Sequence, residues 1–208
     1  MTDSYRTLGA HLEHEPDKTK GSRHIANLFP VTNQQEIDDA LRSVRERMPD
    51  ANHHAYAWRL GRGENDFRYS DDGEPSGSAG RPLLQQLNGQ ELTDVLAVVS
   101  RYFGGTKLGT GGLVRAYGGA ARDALALAEI VEVVPHATLR VAHAYEDSGT
   151  LAAVWNQFDL QPTSSDYGAE VTVELSIPQA HAEALVRAIR DATAARASVE
   201  ATDSDRAR

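Results

Sequence analysis

Cysteine is absent from the 208 residues. Its absence removes disulfides, thiolate nucleophiles, iron–sulfur clusters and Cys-based zinc sites together, and it fits a reducing compartment. Long apolar runs are missing too. Stretches such as Val95–Val99 fall far short of the roughly 18–20 residues that span a bilayer. Met1–Leu8 carries no basic-then-apolar pattern of a secretory signal. A cytoplasmic protein without membrane contact is expected. Aromatic residues make up only 6% of the chain and are scattered, so no base-stacking platform is visible. Positive charge is scarce as well. Lys and Arg number 21 against 30 Asp and Glu, a net charge of −9. Dense non-specific binding to DNA or any other nucleic-acid backbone is therefore not expected of the whole molecule, and only a local basic patch remains open. With 40% hydrophobic and 25% charged residues, the chain can bury a core and is not wholly disordered.

Glycine is present but unevenly spread. Seven of the 17 lie between Arg101 and Arg122, whereas the last seventy residues hold two, Gly149 and Gly168. The shift suggests two domains, 1–134 and 135–203, with a frayed tail over 204–208. In the first, Tyr5–Leu12 and Ser22–Phe29 read as strands. Asn33 reads as a helix N-cap with Glu36 three residues on, followed by Ile37, Ala40, Leu41, Val44 and Met48 at helical spacing. His54–Leu60 alternates as a strand, and Gly61–Gly80 reads as a polar loop. Pro82 starts a short helix. Asp94–Tyr102 contains an apolar run typical of a strand buried on both faces, and Gly112–Ile130 reads as a helix. In the second domain, strands are expected at Thr138–Tyr145, Leu160–Tyr167, Glu170–Ile177 and Ala197–Ala201, with helices from Ser148 and Pro178. That order is βαββαβ, the ferredoxin-like unit, so the fold class is α+β with two domains.

Two segments carry candidate chemistry. In Ser70–Gly80, Asp71, Asp72 and Glu74 lie among turn-forming residues with Ser76. They suggest either a hard-cation site of the Mg²⁺ kind or an acidic loop whose side chains satisfy nearby backbone donors. The second segment, Arg101–Tyr117, leaves the buried strand and enters a helix. Arg101, Tyr102, Gly104, Gly105, Thr106, Lys107, Gly109, Thr110, Gly111 and Arg115 are its candidate binding residues. Glycines let backbone N–H groups curl around an anion, and a helix N-terminus adds partial positive charge. Four basic residues and no Asp or Glu occur from Arg101 to Arg122, an inversion within an acidic chain. The bland alternative is a tight strand-to-helix turn. Standard nucleotide motifs fail: Thr110 stands where a P-loop needs Lys, and Val114 where a dinucleotide fingerprint needs Gly. His53 and His54, adjacent in a strand, point to opposite faces, and His54 is the candidate proton carrier. Tyr102, Phe103 and Tyr117 read as core and rim residues.

Asp71–Gly80 and Arg101–Tyr117 together, with the shorter stretches Lys20–Ala26 and His54–Ala57, resemble the IMPACT family, in particular its bacterial YigZ-like members. The resemblance covers about residues 5–130, and the remainder is more loosely similar to the family's smaller C-terminal domain. His24 departs from it, since a bulky Phe is usual there. The resemblance implies an N-terminal α/β domain with the fold of the second domain of a small-subunit ribosomal protein, and a ferredoxin-like C-terminal domain similar to the last domain of elongation factor G. It implies that eukaryotic relatives, which carry an extra N-terminal domain, restrain a starvation-responsive kinase acting on an initiation factor. Without that extra domain, what carries over is an expected role in translation, and the family supplies no catalytic residues.

Three readings follow. The first is a non-enzymatic binding protein, without cofactor, that contacts the ribosome, RNA or a translation-associated protein through the Arg101–Arg122 window. The second is a phosphate- or nucleotide-binding enzyme with a divalent cation at Asp71, Asp72 and Glu74. In the third, the two loops merely pair, with those carboxylates bridged to Arg81, Arg101 or Arg115. The first is preferred.

Overall fold

A computed structural model describes residues 4–61 and 66–202, and the tail expected to fray over 204–208 lies outside them. The described chain divides into two units, one of Tyr5–Val133 and one of residues 134–202 with Ser4. Both mix helices and strands, as the α+β reading requires. No described helix is long and apolar enough to cross a membrane.

The first unit contains β1 (Tyr5–Leu8), β2 (Leu12–His14), β3 (Arg23–Pro30), α1 (Gln34–Arg47), β4 (His53–Arg59), β5 (Phe67–Ser70), α2 (Gly80–Gly89), β6 (Val95–Tyr102), α3 (Thr110–Leu127) and β7 (Ile130–Val133). Five strands form an antiparallel sheet in the order β2-β3-β6-β4-β5. The apolar run Val95–Val99 occupies its centre because both faces there are covered. Ile25, Trp58, Leu96 and Val98 pack with Ile37, Leu41 and Val44 of α1. On the other face, Ala26, Ala55, Ala57 and Ala97 are fully buried, small enough to leave room for Leu83 and Leu87 of α2 and for Tyr117 and Ala121 of α3. Asn33 caps α1 as its sequence demands: its Oδ1 accepts from the Glu36 N–H at 3.0 Å, and the Glu36 carboxylate accepts from the Thr32 N–H at 2.7 Å.

Three elements of this unit differ from the sequence reading. The expected strand Tyr5–Leu12 divides at Gly9-Ala10: β1 pairs with β7 in a separate ribbon, while β2 joins the main sheet. The helix expected to reach Ile130 stops at Leu127, because the β-branched Ile130, Val131 and Val133 pair as a strand instead. Within the supposed polar loop, Phe67–Ser70 forms the edge strand β5 on β4.

The second unit contains β8 (His136–His143), α4 (Ser148–Gln157), β9 (Ser164–Tyr167), β10 (Val171–Pro178), α5 (Gln179–Ala192) and β11 (Ser198–Thr202), with a single 3-10 turn at Tyr145–Asp147. Its sheet has the order β11-β8-β10-β9, antiparallel throughout, which is the ferredoxin-like arrangement. Leu139, Val141, Val173 and Leu175 face Leu151, Trp155, Leu185 and Ile189. Strand β9 starts only at Ser164, because the Leu160 N–H turns back to the Trp155 carbonyl at 2.9 Å and closes the end of α4.

Candidate functional site

Strand register brings together residues far apart in sequence. Arg101, near the end of β6, lies opposite His24 of β3 on one side and His53 of β4 on the other. The turn in which the Glu74 N–H donates to the Asp71 carbonyl sends the Glu74 carboxylate into this row. Glu74 Oε1 accepts from Arg101 Nη1 and from the Tyr117 hydroxyl, each at 2.7 Å. Their side chains are 4% and 7% exposed for Glu74 and Arg101, and Tyr117 is fully buried. Burial and the neighbouring carboxylate push the Tyr117 hydroxyl well above the ordinary phenol range. His53 Nδ1 lies 2.8 Å from the Asp72 carbonyl oxygen. A carbonyl only accepts, so Nδ1 carries the proton and Nε2 faces Glu74, 3.9 Å away.

His24 completes the cluster, its ring edge-on to Tyr117 at 5.2 Å. Its Nε2 and the Arg101 Nε are both buried without a hydrogen-bond partner among the described residues. Burial, reinforced by the Arg101 charge and partly opposed by Glu74, lowers the His24 pKa to about 4. The unfolded chain therefore takes up this proton near pH 6.5 while the folded chain does not. Its contribution to stability is intact above pH 6.5 and is lost progressively as pH falls toward 4. His24→Phe should flatten that limb of the stability–pH curve, measured by urea titration at a series of pH values. An unchanged acid limb would show that His24 does not titrate in this way.

The acidic loop is built from three separately engaged carboxylates. Asp71 Oδ1 accepts from the Ala79 and Gly80 N–H groups at 2.9 and 2.8 Å, and Oδ2 from the Gly77 N–H at 2.8 Å. It thereby satisfies donors at the start of α2, which has no side-chain cap of its own. Asp72 Oδ2 accepts from the His54 N–H at 2.6 Å, and Oδ1 pairs with Arg45 at 3.2 Å. Glu74 goes to Arg101 and Tyr117. The three carboxylates offered by the sequence as a cation site thus turn toward different partners, and among the described residues no three His, Asp or Glu groups are placed to hold a metal. Ser76 is exposed on the turn. His54 faces the α1 side of the sheet, where it is buried with Nδ1 2.8 Å from Ser100 Oγ. Its pKa is lowered chiefly by burial. The histidine facing the acidic loop is His53, one residue earlier.

The Gly-rich loop leaves β6 under tight restraint. The Phe103 N–H donates to Asn52 Oδ1 at 2.8 Å and the Gly104 N–H to Ser22 Oγ at 3.1 Å. Gly104 presses on the backbone of Gly21, so closely that a Cβ on Gly104 would lie 1.9 Å from the Gly21 carbonyl carbon. Beyond this root, Gly105, Thr106, Lys107, Gly109, Thr110 and Gly111 are exposed. Gly109, with φ of 70°, opens α3 without a side-chain cap or an acidic residue in the first turn. Arg115 Nη1 lies 3.8 Å from where a Cβ on Gly111 would stand, over that first turn.

The basic window is therefore not one surface. Arg101 is buried and paired with Glu74, so the acidic loop and the start of the Gly-rich segment meet at that position. Tyr102 is half-buried beneath the Arg23 guanidinium, 5.0 Å from its ring centroid. Arg122 pairs with Asp123 at 2.8 Å. Lys107 and Arg115 remain exposed, with no carboxylate partner among the described residues. Phe103 is 48% exposed. The sequence does not identify His24, His53 and Tyr117 as site residues, because strand register and the packing of α3 on the sheet bring them together.

Comparison with known proteins covers both units. Residues 20–125 match the family model described as Impact N-terminal domain, and residues 142–196 match one described as Domain of unknown function (DUF1949). The IMPACT family member YigZ of Escherichia coli (strain K12) is 37% identical over 166 residues, which cover 79% of this chain and 81% of that protein. The IMPACT family member YvyE of Bacillus subtilis (strain 168) is 38% identical over 157 residues, 76% of this chain and 70% of that one. A crystal structure described as that of a hypothetical protein has a TM-score of 0.69 at 32% identity, covering 99% of this chain and 100% of the other. Both the acidic loop and the Gly-rich loop fall inside the matched N-terminal region, and the chain belongs to the IMPACT family.

Proposed function

We propose that the protein is a non-enzymatic binding protein of the translation apparatus, and that it touches ribosomal RNA through the exposed part of the Gly-rich loop and the first turn of α3. One observation carries the reading. In a chain of net charge −9, Lys107 and Arg115 stand exposed and without carboxylate partners among the described residues, beside a helix N-terminus that no side chain caps. Exposed cations and open N–H groups suit a phosphate backbone, and the acidic remainder keeps the contact local. The role in translation implied by the family resemblance supports the choice of partner. The divalent-cation enzyme has less behind it, since the carboxylates it requires are engaged elsewhere.

The test is sucrose-gradient sedimentation of the tagged protein in its own cell lysate at low and high salt, beside Lys107→Glu/Arg115→Glu. Wild type should migrate with ribosomal particles at low salt and leave them at high salt, and the double variant should stay at the top. For purified RNA, loss of two phosphate contacts should lower the slope of log affinity against log salt by about 2. Wild type at the top of every gradient would refute the proposal, and salt-insensitive co-migration would remove the basic loop from it.

A further inference from the structure

Phe103 has no part in that phosphate contact, yet it is a large apolar ring left 48% exposed at the root of the same loop. Its backbone is fixed by the Asn52 carboxamide, and the next residue is fixed by Ser22 and by the close approach of Gly104 to Gly21. The ring is also backed: the Arg101 guanidinium lies 5.6 Å from its centroid. Because Arg101 is buried and already paired with Glu74, it supports the ring rather than competing for an anion. Four residues on, Lys107 is exposed, and the segment from Arg101 to Arg122 contains no acidic side chain.

Other exposed aromatic residues lack this setting. Phe67, Tyr69, Tyr145 and Tyr167 each lie within two residues of an acidic side chain, which repels a phosphate backbone. Tyr145 spends its hydroxyl on the Gly168 carbonyl.

Resting on the RNA reading above, we infer that Phe103 stacks on an unpaired base while Lys107 and Arg115 hold neighbouring phosphates, so the loop selects single-stranded over duplex RNA. A rigid ring next to exposed cations, with a restrained backbone, loses little conformational freedom on binding. Every base offers a flat face, so this contact tolerates any sequence. In a duplex the base faces are covered by stacking, and only the phosphate part of the contact is left.

The experiment measures fluorescence anisotropy of a short unstructured RNA, and of the same sequence as a duplex, with the full chain at several salt concentrations. The single strand should bind more tightly. Phe103→Ala should weaken single-strand binding about 10-fold or more with the salt slope unchanged, and Phe103→Trp should retain it. Lys107→Glu/Arg115→Glu should instead reduce the slope. If Phe103→Ala binds like wild type, or if strand and duplex bind equally with an undiminished salt slope, stacking is refuted while the backbone contact stands. Absence of salt-sensitive binding to either probe overturns the RNA contact and the stacking together. Retention of the protein on ribosomal particles in that case would point to a protein surface.

Discussion

Glu74→Ala should be among the most damaging single substitutions in the chain, lowering the stability of the first unit by about 3–5 kcal/mol. The cause is stranded charge. Glu74 Oε1 is the shared acceptor for Arg101 and Tyr117, and both partners are buried. Truncation leaves a guanidinium without its counter-ion and a phenol without its acceptor, in a place where the Arg101 Nε already lacks a partner. The Coulomb attraction lost is smaller than the desolvation left uncompensated. Urea denaturation would measure this, with Trp58 fluorescence reporting on the first unit alone once Trp155 of the second is replaced by Phe. Tyr117→Phe removes one charge-assisted hydrogen bond and should cost about 1.5–3 kcal/mol. A double replacement, Glu74→Leu with Arg101→Met, should recover much of the loss, because a buried ion pair exchanged for apolar groups of similar size is often neutral or better. If Glu74→Ala shifts stability by less than about 1 kcal/mol, or if the double replacement is as damaging as the single one, stranded charge is not what the pair protects against.

The residues explain which parts of this architecture are legible in sequence. Val95–Val99 announces a central strand because its apolar residues are consecutive, and α1 announces itself through Asn33, Glu36 and a helical apolar stripe. In the second unit, alternation at Val171, Val173, Leu175 and Ile177 announces strand β10. Elements that depend on a distant partner are not legible in the same way. Strand β5 buries little and stands at a sheet edge, so Phe67–Ser70 reads as loop. Strand β1 lies within the stretch that reads as a strand, but its partner β7, more than a hundred residues away, reads as the end of a helix. The site follows the same division. Segments rich in Gly, Asp and Arg are conspicuous, but strand alternation and register decide which side chains they offer. Arg101 is buried against Glu74 while Phe103, just past the end of β6, is exposed, His53 faces the acidic loop while His54 faces α1, and the carboxylates that suggest a cation become a helix cap, a strand anchor and half of an ion pair. Counting charge along a window locates the segment but does not distinguish a buried cation from an exposed one.

Gly104→Ala should cost about 3 kcal/mol and should cost binding more than it costs stability. A Cβ there would lie 1.9 Å from the Gly21 carbonyl carbon and 2.2 Å from the Ser22 nitrogen. Both are main-chain atoms, so no rotamer change relieves the clash, and one of the two backbones must move. Neighbouring glycines separate this steric effect from conformational preference. Gly105 has φ of 85° with open space where a Cβ would go, so Gly105→Ala should cost only the left-handed strain of about 1–2 kcal/mol. Gly119, inside α3 and equally unobstructed, should gain up to about 1 kcal/mol on replacement by Ala. The expected order of stability is therefore Gly119→Ala, wild type, Gly105→Ala, Gly104→Ala. Displacing Gly104 also breaks its bond to Ser22 Oγ and moves Phe103 and Lys107, which enter the proposed contact from either side of it. Single-strand RNA affinity of Gly104→Ala should thus fall even at urea-free, low-temperature conditions where the variant is fully folded. If Gly104→Ala is no worse than Gly105→Ala in both stability and affinity, the contact with Gly21 does not set the loop, and its restraint must come from the Asn52 and Ser22 hydrogen bonds alone.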